Sequence, residues 1–214
     1  MGNANLTVSL WLRREGAAWF GVAERGGRLV ATSVDQSRAE AARILSRSLP
    51  PGCEGVAAEG YSAYADAMAR TLAAIEAGDE SAKSFEIDRE LIPEPAASVF
   101  RLVASIPPGY AASYGRVAAA AGTIAREVGR LMAGNPLYPL VPCHRVVGSD
   151  YSLVGYRGAT SGADLDDKLA RLLAEARGFE SELALGDGFA AFPVERVIAK
   201  AKGDRGGEGQ LSLW

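Results

Sequence analysis

From Leu6 to Leu12 apolar residues occupy every second position, the period of a half-buried strand. Ala18 to Ala23 and Arg28 to Val34 read as two more strands, joined at Gly26-Gly27 as a hairpin. Gln36 to Leu49 has helical composition and stops at Pro50-Pro51-Gly52. A second helix is expected over Ser62 to Ala77, where Ala65, Met68, Leu72 and Ile75 share one face and Gly78 follows. Phe85 to Ile92 reads as a further strand, closed by Pro93-Glu94-Pro95. Residues 1 to 92 are therefore expected to form a small α/β domain, a sheet with flanking helices.

Beyond Pro95 the pattern becomes helical through Ser105 and breaks at Ile106-Pro107-Pro108-Gly109. Residues 113 to 133 then read as a short Ala-rich helix, a tight turn at Gly122-Thr123 and a second, amphipathic helix. This predicts a mainly α domain over 93 to 178 containing a helix-turn-helix, whose second helix would meet a duplex with Arg126 near its N-terminus. An ordinary antiparallel helix pair fits the same residues. Residues 179 to 214 form an extension, expected to be flexible at least from Lys202.

Composition narrows the classes. At 214 residues with 48% hydrophobic and 23% charged positions, the chain can bury a core and has no membrane-spanning run or secretory leader, so a cytoplasmic location is expected. Two cysteines, Cys53 and Cys143, and one histidine make neither a disulfide framework nor a structural zinc site. The net charge of −3 hides an uneven distribution. Residues 1–96 hold 10 cations against 14 anions, residues 97–160 hold 6 against 2, and residues 161–214 hold 7 against 10. All six cations of the positive segment, Arg101, Arg116, Arg126, Arg130, Arg145 and Arg157, are arginines, whose planar fork suits phosphate.

The chemistry concentrates in that segment. Gly134 to Val146 is an apolar run whose prolines, Pro136, Pro139 and Pro142, bar a helix interior or a central strand, and it ends in Cys143-His144-Arg145. A thiol becomes a good nucleophile as thiolate, and an imidazole that accepts its proton lowers its pKa. Adjacent residues in extended chain point to opposite sides, so Cys143 and His144 would need a bend or a bridging water, and a third group to orient the ring. On its own the pair favours a packed cysteine beside a hydrogen-bonded histidine, the commoner fate of each. Its surroundings reverse that preference.

Asn135-Pro136, then Pro142-Cys143-His144-Arg145-Val146, preceded by the helix-turn-helix stretch and followed by Val154-Gly155-Tyr156, resembles the O6-alkylguanine-DNA alkyltransferases. The resemblance covers roughly residues 95 to 178. It implies direct reversal of O6-alkylguanine in duplex DNA by a single, irreversible alkyl transfer to a protein cysteine, in a monomer that requires no cofactor and no metal. Cys143 then corresponds to the alkyl acceptor, His144 to its general base acting through a water, and Glu175 to the carboxylate that orients the histidine. Asn135 matches the asparagine bracing the turn before the cysteine, and Tyr114 the tyrosine that donates to guanine N3. Arg126 matches the arginine that fills the gap left by the extruded nucleotide, with Arg130 as its alternative one turn on. Ser113, Tyr114, Arg116, Arg126 and Arg130 are the implied DNA contacts. Tyr156, Arg157, Val146, Pro142 and Met132 are the implied walls of the alkylguanine pocket. The rival reading is a non-catalytic helix-turn-helix module that binds DNA or senses lesions. A Cys/His hydrolase is disfavoured because no oxyanion-hole arrangement is evident.

The last five residues, Gln210, Leu211, Ser212, Leu213 and Trp214, resemble the short peptides by which DNA repair proteins dock on sliding clamps. On that resemblance a clamp joins DNA as an expected partner, and no membrane partner is expected.

Overall fold

The computed structural model describes residues 6–186 and 188–209, with side chains to residue 204. The clamp-like residues 210–214 lie outside the described residues. The chain divides into two compact units, one comprising residues up to Phe100 with Asn135–Val141, the other Arg101–Gly134 and residues from Pro142 onward. The division falls within one helix, and the proline-rich run before Cys143 returns to the first unit.

In the first unit the hairpin forms as the alternation dictates. β1 (Leu6–Glu15) pairs antiparallel with β2 (Ala18–Arg25), and β2 with β3 (Arg28–Asp35). α1 (Arg38–Arg47) starts at Ser37, whose side chain caps it by accepting from Glu40 N–H. A short strand that the sequence pattern did not announce, β4 (Cys53–Ala57), then joins β1 in parallel, giving the order β3-β2-β1-β4. α2 (Ala63–Glu76) follows, capped by Ser62. Val8, Ala23, Val30, Ala31 and Leu45 form a core between sheet and helix.

The strand expected over Phe85 to Ile92 does not form; Ile87 makes only an isolated bridge to Leu29. The reason lies in Asp88, which is buried and takes a bidentate bond from Arg25 at 2.7 and 2.9 Å. The same carboxylate accepts from the backbone of Glu90 and Leu91, folding the chain into a turn where a strand would have continued.

α3 (Ala96–Ala104) carries the chain from the first unit into the second. There β5 (Tyr110–Ser113) leads directly into α4 (Tyr114–Ala120), and α5 (Ala125–Ala133) follows after a turn at Gly122, whose φ of +65° suits glycine. α5 buries Val128, Leu131 and Met132 along one face. After Cys143 come β6 (Val146–Val147), α6 (Ala163–Glu175), β7 (Leu183–Gly186), β8 (Phe189–Pro193) and α7 (Val194–Gly209). The four strands make a second sheet, ordered β6-β5-β8-β7, with β8 antiparallel to β5.

Among the described residues of 93–178 the helices α3 to α6 dominate and only the short β5 and β6 are strands, as a mainly α domain requires; β7 and β8, from the residues beyond, complete the mixed sheet. Part of the extension packs into the second unit. Phe192, Val194, Val197, Ile198 and Ala201 share one core with Ala111, Val147, Leu169 and Leu172. Residues 202–209, expected as flexible linker, are the last turns of α7. Among the described residues no helix is long and apolar enough to cross a membrane.

Candidate active site

Residues Cys143–Arg145 form a 3₁₀ turn, which supplies the bend that an extended Cys-His pair would lack. The turn delivers both His144 and Arg145 to one carboxylate. His144 Nε2 lies 2.8 Å from Glu175 Oε1, at the C-terminal end of α6. Arg145 donates to the same oxygen through Nη2 at 2.7 Å and to Oε2 through Nε at 2.9 Å. Its Nη1 reaches Ile106 O at 2.6 Å.

These contacts decide the protonation states. Burial pushes the Glu175 carboxyl up, but the bonds from His144 and Arg145 outweigh it and hold its pKa down at about 2. Burial lowers the pKa of His144 against the pull of Glu175, and the charges of Arg145 and Arg171 add to the lowering. A neutral imidazole facing an ionised carboxylate carries its proton on Nε2, an assignment that follows from the partner. Nδ1 is then a bare acceptor; it is buried and has no hydrogen-bond partner among the described residues.

Cys143, 5% exposed, lines a cavity of about 400 Å³. α5 contributes Arg126, Gly129 and Met132 to its wall, and Tyr114 and the loop 154–160 complete it. The Tyr114 hydroxyl donates to Gly155 O at 3.4 Å. Burial and the neighbouring Cys143 push its pKa up to about 12, so it keeps its proton at neutral pH. The Tyr156 phenol is also raised by burial, and its hydroxyl is buried without a partner among the described residues.

The loop is held in an unusual shape. Val154 and Arg157 adopt φ of +59° and +49°, a conformation costly for non-glycine residues. Lys168 of α6, with 0% exposure, anchors it by donating from Nζ to Val146 O and Leu153 O, both at 2.7 Å, and to Gly155 O at 2.9 Å. Burial lowers the ammonium pKa to about 8, while the nearby Cys143 pulls the other way.

The structure brings together Cys143, Tyr114, Arg126, Met132, Tyr156 and Arg157 on the cavity, and His144 with Glu175 beside it. Pro142 and Val146 are buried and are not among the cavity-lining residues, because the turn directs only Cys143 into the space. Asn135 lies in the first unit and closes the loop that runs on to Pro142. Its Nδ2 donates to Val141 O at 2.8 Å and its Oδ1 accepts from Leu137 N–H at 3.0 Å.

The arginine count overstates the cationic face. Arg145 is 2% exposed and bound to Glu175, so it does not face a duplex. Arg116 pairs with Glu182 at 2.9 Å, Arg130 with Glu127 at 2.5 Å and Arg157 with Asp167 at 3.3 Å. Ser113 is buried as the N-cap of α4, its Oγ accepting from Arg116 N–H at 3.2 Å. The positioning parts played by Arg145 and Lys168 were missed in the sequence; for Arg145 the apolar Val146-Val147 that follows it was the available signal, and Lys168, after Asp166-Asp167, offered none. Among the described residues no three His, Cys, Asp or Glu side chains gather as a metal site.

A helix pair thus stands beside a buried Cys-His-Glu arrangement and a cavity that Cys143 lines, and comparison with known proteins places this arrangement in context. Residues 94–177 match the family described as the DNA-binding domain of 6-O-methylguanine DNA methyltransferase. Among the similar proteins is a methylated-DNA–protein-cysteine methyltransferase of Pyrobaculum aerophilum, 44% identical over 84 residues, which are 39% of this chain and 49% of that protein. Another, from Mycolicibacterium paratuberculosis, is 40% identical over 91 residues, 42% and 52% of the two chains. The chain thus spans about half the length of these curated relatives. The O6-methylguanine methyltransferase of Mycobacterium tuberculosis shares the fold with a TM-score of 0.51 at 24% identity, over 80% of this chain and 96% of that one. The resemblance carried by Asn135-Pro136 and Pro142 to Val146 is borne out.

Proposed function

We propose that this protein reverses O6-alkylguanine damage in duplex DNA by moving the alkyl group, once and irreversibly, onto Cys143 Sγ. The observation that carries the reading is the cavity shared by Cys143, Tyr114 and the N-terminal part of α5, beside a histidine whose Nδ1 has no partner among the described residues. The relatives' name describes transfer from methylated DNA to a protein cysteine, and a related structure holds DNA.

The O6 substituent of a stacked guanine is out of reach, so the nucleotide must leave the helix at a cost of about a few kcal/mol. α4 and α5 serve as the helix-turn-helix, α5 meets the duplex, and Arg126 at the cavity takes the space the base vacates. Inside, His144 Nδ1 takes the thiol proton through a water while Glu175 stabilises the imidazolium that forms. The thiolate attacks the alkyl carbon in line with the C–O6 bond: the C–S bond forms, the C–O6 bond breaks, and its electron pair passes into the purine. Tyr114 donates a hydrogen bond to guanine N3 as that charge develops. The proton lost by the thiol balances the one guanine takes up. Asn135 braces the chain before Cys143, and Tyr156 and Arg157 bound the flipped base. A thioether offers water no leaving group, so each molecule reacts once. No step needs a metal or cofactor.

The test is the intact mass of the protein after incubation with excess duplex carrying one O6-methylguanine, beside Cys143→Ala. A gain of one methyl group in the wild type alone is expected. No gain with the duplex still bound would leave a lesion-binding module.

A further inference from the structure

Residues 178–209 lie beyond the matched family segment, yet they reach the machinery of the site at one junction. Glu195, in the first turn of α7, turns its Oε1 onto three consecutive backbone N–H groups. It accepts from Arg177 at 3.0 Å, Gly178 at 2.5 Å and Phe179 at 3.3 Å. These amides begin two residues after Glu175. A run of adjacent amides converging on one carboxylate oxygen is an anion nest, here filled by the protein's own side chain. Glu195 Oε2 is buried without a partner among the described residues, so the carboxylate's grip is exerted through that one oxygen.

The same junction holds the approach to Tyr114. Val194 N–H donates to Gly109 O at 3.0 Å, and Tyr110 faces Pro193 across the β5–β8 ladder. Phe179 stacks on Tyr110 with ring centroids 4.9 Å apart. A Cβ at residue 109 would meet the Phe179 ring at 2.7 Å, and φ there is +88°, so only glycine lets the three segments close. The stretch trailing Glu175 is thus tied to the Glu195 carboxylate, and the stretch leading into Tyr114 to its neighbours Val194 and Phe179.

We infer that Glu195 is a positioning residue for the His144–Glu175 pair, gathering the amides beyond α6 so that its last turn holds the carboxylate against the imidazole. The inference rests on the alkyl-transfer reading above. A Glu175 that sways from His144 supports the imidazolium less, so thiolate formation requires a higher pH. The charged groups around His144 are Glu175 and Arg171 of α6 and the adjoining Arg145, none of which a change at residue 195 removes.

The experiment is single-turnover methyl transfer from saturating O6-methylguanine duplex to the full chain, followed by intact mass across pH for wild type, Glu195→Gln and Glu195→Ala. Because each molecule reacts once, the final extent counts the folded fraction and the rate constant reports on that fraction alone. For Glu195→Ala the rate constant should fall about fivefold and its pH midpoint rise by about half a unit. Glu195→Gln keeps an acceptor oxygen but loses the charge that strengthens such bonds, and should fall about twofold with a smaller rise. A smaller final extent with unchanged rate constant and midpoint in both variants would reduce Glu195 to a stability contact and overturn the inference. If Glu195→Ala does not fold, Glu195→Gln decides by the same two readings. A wild type that gains no methyl group overturns the alkyl-transfer reading itself.

Discussion

His144 Nε2 and Glu175 Oε1 are 2.8 Å apart, and Glu175 is also the anchor of the buried Arg145. One carboxylate therefore orients the imidazole and neutralises a buried cation.

That double duty predicts acid sensitivity. The Glu175 pKa of about 2 lies below its ordinary 4.5, so its contribution to stability is complete above pH 4.5 and disappears as pH falls towards 2. His144, lowered from its ordinary 6.5, adds a loss of the same sign below pH 6.5, where the unfolded chain binds a proton that the native site resists. Glu175→Gln should destabilise the protein by about 3 kcal/mol at pH 7, because Arg145 is left buried without its counter-charge. It should also flatten the slope of stability against pH between 2 and 4.5. Urea unfolding at a series of pH values measures both, and an unchanged slope would assign the sensitivity to other carboxylates.

Lys168 makes a second prediction. Lys168→Met leaves the carbonyls of Val146, Leu153 and Gly155 without their buried donor. A loss of about 2–4 kcal/mol is expected, with slower transfer because the loop at Gly155 relaxes. In the wild type the ammonium is lost as pH rises through about 8, so the transfer rate should turn down there. Denaturant unfolding and single-turnover rates at pH 7 and 9 are the measurements, and a rate still climbing at pH 9 would rule out a role for the charge.

Tyr114→Phe keeps the ring and removes the hydroxyl that faces Gly155 O. Methyl transfer should slow about a hundredfold, the lower end of what a positioned proton donor supplies. Affinity for undamaged duplex should stay within about twofold, since nothing else at α4 changes. Equal losses in rate and affinity would make Tyr114 a DNA contact alone.

Arg126→Ala separates base extrusion from chemistry. On duplex the rate should fall about tenfold or more, because the vacated stack is left unfilled. On free O6-alkylguanine base, which needs no extrusion, it should change by less than about twofold. Comparable losses on both substrates would make Arg126 a wall of the cavity and nothing further.

Much of this was legible in the chain. Period-two alternation gave β1 to β3, and glycine, proline and serine punctuation bounded α1, α2, α4 and α5, because each rests on local chemistry. The string from Pro142 to Val146 marked the site. What escaped were arrangements set by partners distant in sequence. Asp88 became a turn because Arg25 reaches it, and β5 and β8 are four- and five-residue strands whose pairing is visible only in three dimensions. Arg145 counted as a surface cation until Glu175 and Ile106 O enclosed it. The extension had no recognised counterpart and so no template, although Phe189 to Val197 carries the apolar density of a core segment.

The strand order β6-β5-β8-β7 has a consequence for how the molecule comes into being. β5, which delivers Tyr114, keeps one edge open until Phe189–Pro193 pairs with it. A ribosome releases those residues after Cys143, so a nascent chain carries that cysteine before this sheet can close. A fragment stopped where the family segment stops would expose a bare strand edge ready to pair with another copy.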